Sequence, residues 1–234
     1  MMNLRIGVQT GNFHLANPEA STYQFIGNNT MTVRRRGIFH NLFYGTASPL
    51  TLSENIITGI NNANESFWDG ILISSQSIAS YAVDNSINGI AIIGKPTEGY
   101  EVWNVKNTSP AEITGGTVSN TSIGLFVNNY EGYVSDAGDG AHAIVSGLTI
   151  TDCSTGAKIS DSPLSTHAAV SATIKDDTEI SYTGTGTGIL VVGANASANI
   201  VDNDASIHGF AIGIDVDAGS ATIDHNHIFN NRCV

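Results

Sequence analysis

Between Gly37 and Asn231 the chain has no arginine, and its only lysines there are Lys95, Lys106, Lys158 and Lys175. Charged residues make up 13% of the 234 positions and sum to a formal charge of −12 at pH 7. A sparse negative surface argues against nucleic acid or an anionic membrane as a partner. Long apolar runs are missing as well. With no eighteen consecutive apolar residues, no membrane-spanning helix is expected. Met1–Gly11 lacks the apolar centre of a secretory signal. Cysteine is scarce: Cys153 and Cys233 fall in different repeats. Stacked coils about 4.8 Å apart would hold those sulfurs too far apart to bridge, so two free thiols are expected. Without CxxC spacing they make no metal site, and no cofactor motif is present.

What is present is a repeat. Ser171-Ala172-Thr173-Ile174 returns as Ser197-Ala198-Asn199-Ile200 and again as Ser220-Ala221-Thr222-Ile223. Taking the first inward residue of each turn gives Phe25, Leu52, Val83, Ile113, Ile144, Ile174, Ile200 and Ile223, at intervals of 23 to 31 residues. A second apolar patch recurs at Ile56-Ile57, Ile87, Val118, Leu148 to Ile150, Ile180, Ile207 and Ile228. A third follows glycine, at Gly70-Ile71, Gly89-Ile90, Gly124-Leu125, Gly156-Ala157, Gly188-Ile189 and Gly213-Ile214. Alternation within these patches is strand periodicity, and no segment offers ten residues of helical period.

Three short strands per turn predict an all-β chain folded as a right-handed parallel β-helix, a solenoid of about seven to eight coils. A single coil cannot bury its inward face, whereas stacked coils align isoleucine on isoleucine. Corner asparagines (Asn62, Asn88, Asn120, Asn203, Asn230, Asn231) tolerate left-handed backbone and can form side-chain ladders. Residues 1–24 fit the repeat poorly and read as an irregular lead-in or cap, with the β-helix over 25–234. Arg34-Arg35-Arg36 is the one basic cluster and reads as a solvated edge of the first coil.

The run Ala221-Thr222-Ile223-Asp224-His225-Asn226-His227-Ile228-Phe229-Asn230-Asn231 resembles the repeat of the pectin-lyase-like superfamily. Asn55-Ile56-Ile57-Thr58-Gly59-Ile60 and Asp69-Gly70-Ile71-Leu72-Ile73 resemble it too, so the likeness covers roughly residues 50–234. It implies the β-helix fold and leaves activity open, because that superfamily includes lyases, hydrolases, epimerases, tailspikes and adhesins. Of the patterns of its polygalacturonase-like members only an Asp-Asp pair, Asp176-Asp177, is present. The arginine with which its pectate-lyase-like members handle acidic sugar has no counterpart beyond Arg36 until Arg232.

Long connections from third strand to next first strand are expected over the middle coils, and they carry Glu98, Tyr100, Glu101, Trp103, Tyr130, Glu131 and Tyr133. As a wall on one side of the solenoid, Tyr100, Trp103, Tyr130 and Tyr133 would offer aromatic faces to a neutral polysaccharide. Glu101, Glu131, Asp136 and Asp139 are the carboxylate candidates for acid–base catalysis. Asp136 and Asp139, in a glycine-rich turn, are weak candidates for calcium. His225 and His227, two apart on a strand, would face one side, as metal ligands need. A threonine array spread over coils, as an ice-binding face requires, is not expected, since Thr183, Thr185 and Thr187 share one turn.

These features lead to a non-catalytic extracellular or cell-surface segment with a structural or adhesive role, binding neutral glycans on its loop wall. The alternative is a carbohydrate-active enzyme, a polysaccharide hydrolase or lyase. The last turn also suggests end-on self-association of an open C-terminal coil through Ile223 and Ile228.

Overall fold

The corners, more than the strands, set the geometry of this chain. Between the first and second strands of successive coils a left-handed residue turns the backbone: Asn28, Glu54, Asp84, Gly115, Gly147, Asp176, Asp202 and His225 all have positive φ. Beside this corner runs an amide ladder. Asn29 donates to Asn55, and Asn55 to Asn85, each at 2.9 Å; farther along, Asn203 donates to Asn226 at 2.7 Å. Asn55, Asn85 and Asn203 are buried, and each also binds backbone, so the amides satisfy main-chain groups that the corner exposes. Of the asparagines expected in ladders, Asn203 belongs to this one, while Asn120 donates to Asn88 on a different corner at 2.8 Å.

The computed structural model describes residues 3–12, 24–42, 49–61, 64–75, 79–90, 92, 94–103, 105, 107–129, 140–161 and 169–233. The first coils hold β1 (Asn3–Asn12), β2 (Gln24–Gly27), β3 (Thr30–Leu42), β4 (Leu50–Ser53), β5 (Ile56–Gly59) and β6 (Trp68–Ser75). The middle coils hold β7 (Ser80–Val83), β8 (Ser86–Asn88), β9 (Thr97–Trp103), β10 (Ala111–Thr114), β11 (Thr117–Ser119) and β12 (Ile123–Asn128). There follow β13 (Ala141–Ser146), β14 (Thr149–Thr151), β15 (Thr155–Ser160), β16 (Val170–Lys175), β17 (Glu179–Ser181) and β18 (Thr187–Val192). Last come β19 (Ala196–His208), β20 (Ile212–Asp217) and β21 (Ser220–Phe229). From β4 to β18 each strand pairs in parallel with the strand three places on or, near the end, with the matching part of β19 or β20, which makes the chain an all-β parallel solenoid. No helix among the described residues is long and apolar enough to cross a membrane.

The second-strand ladder has eight levels in register: Met31, Ile57, Ile87, Val118, Ile150, Ile180, Ile207 and Ile228. All but the last are buried. Each buried aliphatic chain of this kind stabilises by about 1.5–3 kcal/mol relative to exposure, so the ladder is the backbone of the core.

The first-strand ladder departs from the expected phase at three levels. Ile26, Ala82 and Val145 stack with Leu52, Ile113, Ile174 and Ile200. Phe25 is 57% exposed, and Val83 and Ile144 also face out. Each lies beside its inward neighbour, and only the stacking register decides which of two adjacent apolar residues turns in.

Each third-strand level carries a glycine just before its inward residue, and the level expected at Gly89-Ile90 lies elsewhere. Gly37, Gly70, Gly99, Gly124, Gly156, Gly188 and Gly213 stack so that a Cβ on any of the first six would collide with the next level's carbonyl oxygen. The level assigned to Gly89-Ile90 is therefore Gly99-Tyr100, on β9, and Gly89 lies past the end of β8. Residues expected in a long loop are thus in a strand. Over 3–12 the lead-in is also a strand, since β1 pairs in parallel with β3. Cys153 is buried, Cys233 exposed, and both are free thiols, as the spacing required. Ile223 is 48% exposed.

Candidate functional site

The outer side of the third-strand stack carries the titratable chemistry. Two registers matter. Arg36, Asp69 and Glu98 occupy one position on β3, β6 and β9, and Phe39, Leu72, Glu101, Phe126 and Lys158 occupy another across five successive levels. Parallel in-register stacking places such side chains about 4.8 Å apart whether or not their charges suit one another. Here three carboxyl groups gather beside one guanidinium, and Asp69 is the one that meets it directly.

Arg36 Nε donates to Asp69 Oδ2 at 2.6 Å, a charge-assisted bond from the coil below. Glu98 hydrogen-bonds Asp69 from the coil above. The Asp69 carboxyl is raised above the usual carboxylate range by burial, which outweighs the opposing pull of Arg36 and of the Glu98 hydrogen bond. Glu98, only 4% exposed, is pushed up to about 9, first by burial and then by the charges of Asp69 and Glu101. The two carboxyls are raised together and share a proton through their hydrogen bond, with Arg36 anchoring the Asp69 side. Glu101 is pushed up to about 8 by burial and by Asp69; its Oε1 accepts from Asn128 Nδ2 at 3.2 Å. The cluster therefore gathers carboxyl groups that burial holds toward the protonated form beside one anchored by a guanidinium, an arrangement able to give and take a proton.

An aromatic and cationic wall borders it. The Arg36 guanidinium lies over the rings of Phe39 at 4.5 Å and Phe67 at 4.7 Å, and Arg35 lies over Phe67 at 4.4 Å. Phe39, Leu72 and Trp103 form a small apolar cluster of their own on this outer side. The basic triplet is thus packed into a cluster, in place of the freely solvated edge expected from sequence.

Tyr100 and Trp103 need correction as sugar-stacking faces. Tyr100 is fully buried in the core, at the level between Ile71 and Leu125, and Trp103 is 7% exposed. The cause is the shifted third strand, which turns Tyr100 inward. Glu101 does join a carboxyl cluster, though with Asp69 and Glu98 as its neighbours. Tyr130, Glu131, Tyr133, Asp136 and Asp139 lie outside the described residues.

The paired-histidine expectation also fails in geometry. His225 is a corner residue with φ of 51°, which breaks strand alternation, and its Nδ1 lies 3.0 Å from Asp224 Oδ2. His227 instead stacks on Phe229 at 4.5 Å, and His208 stacks on the same ring at 4.9 Å. Among the described residues no group of three His, Cys, Asp or Glu side chains is placed to hold a metal ion.

Sequence reasoning missed Asp69 as a partner of Glu98 and Glu101. The signal was present in the spacing: Asp69-Gly70-Ile71 and Glu98-Gly99-Tyr100 are the same motif one coil apart. Comparisons with protein-family models, with curated proteins and with solved structures give no match to this chain.

Proposed function

We propose that this chain is a non-catalytic solenoid segment with a structural and adhesive role at an extracellular or cell surface, binding neutral polysaccharide through the outer face of its second strands. One observation carries the reading. Either side of the inward ladder run two outward columns, Thr30, Ile56, Ser86, Thr117, Thr149 and Thr32, Thr58, Asn88, Ser119, Thr151, none of them charged. Their spacing is about 4.8 Å between levels and about 6.6 Å along the strand. Thr117 donates to Ser86 at 3.2 Å and Ser119 to Asn88 at 3.5 Å, so the columns are partly pre-ordered. Apart from Ile56, and as far as Thr149, beyond which Glu179 follows, this is a rigid array of neutral donors and acceptors, which suits sugar hydroxyls and loses little freedom on binding. The three-strand coil with its glycine and asparagine corners supports kinship with the pectin-lyase-like superfamily.

The test is a pull-down on insoluble neutral polysaccharides, cellulose and chitin, with the parent and with Thr117→Lys and Thr149→Lys. Retention of the parent and release of both lysine variants is the expected result. Equal behaviour of all three, bound or unbound, removes the reading.

A second reading, a polysaccharide hydrolase or lyase, is favoured by the adjoining carboxyl groups of Glu98 and Asp69, since glycoside cleavage needs an acid and a base together. Turnover of neutral or acidic polysaccharide that disappears in Glu98→Gln and Glu101→Gln would put it first.

A further inference from the structure

Four of the five arginines in the sequence, Arg5, Arg34, Arg35 and Arg36, are brought together at the corner between the second and third strands of the first coils. Lys95 joins them from the next coil by donating to the backbone carbonyl of Glu65. Five cationic side chains therefore face two carboxylates, Glu65 and Asp69, in a protein whose net charge is −12.

The pairing within the corner is uneven. Arg36 is matched by Asp69 at 2.6 Å. Arg5 takes Glu65 with two bonds, Nε to Oε1 at 2.9 Å and a terminal nitrogen to Oε2 at 3.3 Å. Arg35 reaches Glu65 only at 3.9 Å. Arg34 has no ion pair among the described residues, although its charge is felt at Glu65. Among the described residues the buried Nε atoms of both Arg34 and Arg35 have no hydrogen-bond acceptor. A buried donor left without a partner is a deficit that folding normally avoids. Burial and the neighbouring Arg36 and Arg5 charges also push Arg35 below the usual arginine range.

We propose that Arg34 and Arg35 form a binding site for a dianionic oxyanion group, a sulfate or phosphate ester carried on a ligand. Two guanidinium groups are left without a full counter-charge, which one dianion neutralises and one carboxylate does not. Its oxygens accept from the guanidinium N–H groups that Arg34 and Arg35 turn toward solvent, the planar donor fork at which arginine excels. Phe67, beneath Arg35 and Arg36, holds the guanidinium planes and leaves their N–H edges to the ligand. Arg35 is 25% exposed in its side chain, so the site is reachable from solvent. This inference is independent of the adhesive face, which lies on the second strands.

The test is titration calorimetry of the full chain with glucose 6-sulfate, glucose 6-phosphate, glucose, and sodium chloride at matched ionic strength. The expected result is saturable one-site binding of the sulfate or the phosphate ester, with glucose and chloride inert; the tighter of the two esters names the source. Arg34→Gln and Arg35→Gln should each weaken that binding roughly tenfold or more, since each removes a charge-assisted contact. Lys175→Gln, on a distant strand, should not change it. Arg34→Lys and Arg35→Lys keep the charge without the fork and should give an intermediate loss, which decides the matter if a glutamine variant fails to fold. Binding of neither ester, binding equalled by chloride, or lysine variants with unaltered affinity would each overturn the proposal.

Discussion

The second-strand and third-strand stacks of this solenoid obey the same pairing rules and carry opposite kinds of surface. In the second, every level from Met31 to Ile228 turns an aliphatic side chain inward, and the five levels from Thr30/Thr32 to Thr149/Thr151 present neutral residues outward. In the third, the inward positions run Ile38, Ile71, Tyr100, Leu125, Ala157 and Ile189, and the outward ones mix Phe39, Leu72, Glu101, Phe126 and Lys158. Even its interior contains a titratable ring: His40 is buried, is pushed down to about 4 by that burial, and lies 2.9 Å from Thr10 Oγ1. Uniform levels make a scaffold, because each coil offers the next an identical template. Levels that differ concentrate charge, aromatic surface and unmatched hydrogen-bonding groups, which are what recognition and chemistry require.

The sharpest way to break the comparison is in the uniform stack. Ile150→Ala opens a cavity between Val118 and Ile180 and should destabilise the chain by about 2–5 kcal/mol in urea unfolding. A loss below about 1 kcal/mol would mean that the levels are not close-packed. Next in size is the corner that supports the stack. Asn55→Ala removes an amide that binds Asn85, Asn29 and the Ile26 carbonyl, and should cost about 1–3 kcal/mol by leaving those groups unpaired.

The heterogeneous stack should reveal itself through pH. Glu98 and Glu101 have folded values near 9 and 8, well above the unfolded value of about 4.3. Folded protein thus holds protons that unfolded protein has released. Their contribution is complete below about pH 4.3 and is lost as pH rises from there through the folded values, so the melting temperature should fall between about pH 4.3 and 9 and level off above. The double variant Glu98→Gln, Glu101→Gln should flatten that decline, whereas an unchanged slope would show that neither group is buried in its acid form. The smallest expected effect is Thr117→Lys on the exposed column: stability within about 0.5 kcal/mol of the parent, with adhesion to neutral polysaccharide lost.

The strand content, the parallel stacking and the identity of the second-strand core were legible in the sequence, because they follow from a motif repeated every 23 to 31 residues. So was the freedom of the two thiols, which needs only the coil spacing. The candidate site was legible in part. Glu98 and Glu101 stand out as carboxylates beside aromatics, yet their placement was read from Gly89-Ile90, a glycine–isoleucine pair that mimics the third-strand motif. The stack selects Gly99 instead, since a Cβ there would strike the Gly124 carbonyl oxygen and the Val118 side chain.

The hydroxyl columns show the same limit from the other side. No single turn is rich in threonine at those positions, so no local window reveals an array that exists only across coils.

By itself, then, the sequence determined which residues could be strands and that the strands must stack, since its periodicity and apolar content are local properties of the chain. Only the tertiary structure decided which of two adjacent apolar residues faces in, which glycine belongs to a third-strand level, and that Arg36, Asp69 and Glu98 lie one above another. Those outcomes depend on register between coils, and register is settled by the fit of the whole column: a one-residue slip costs every level at once.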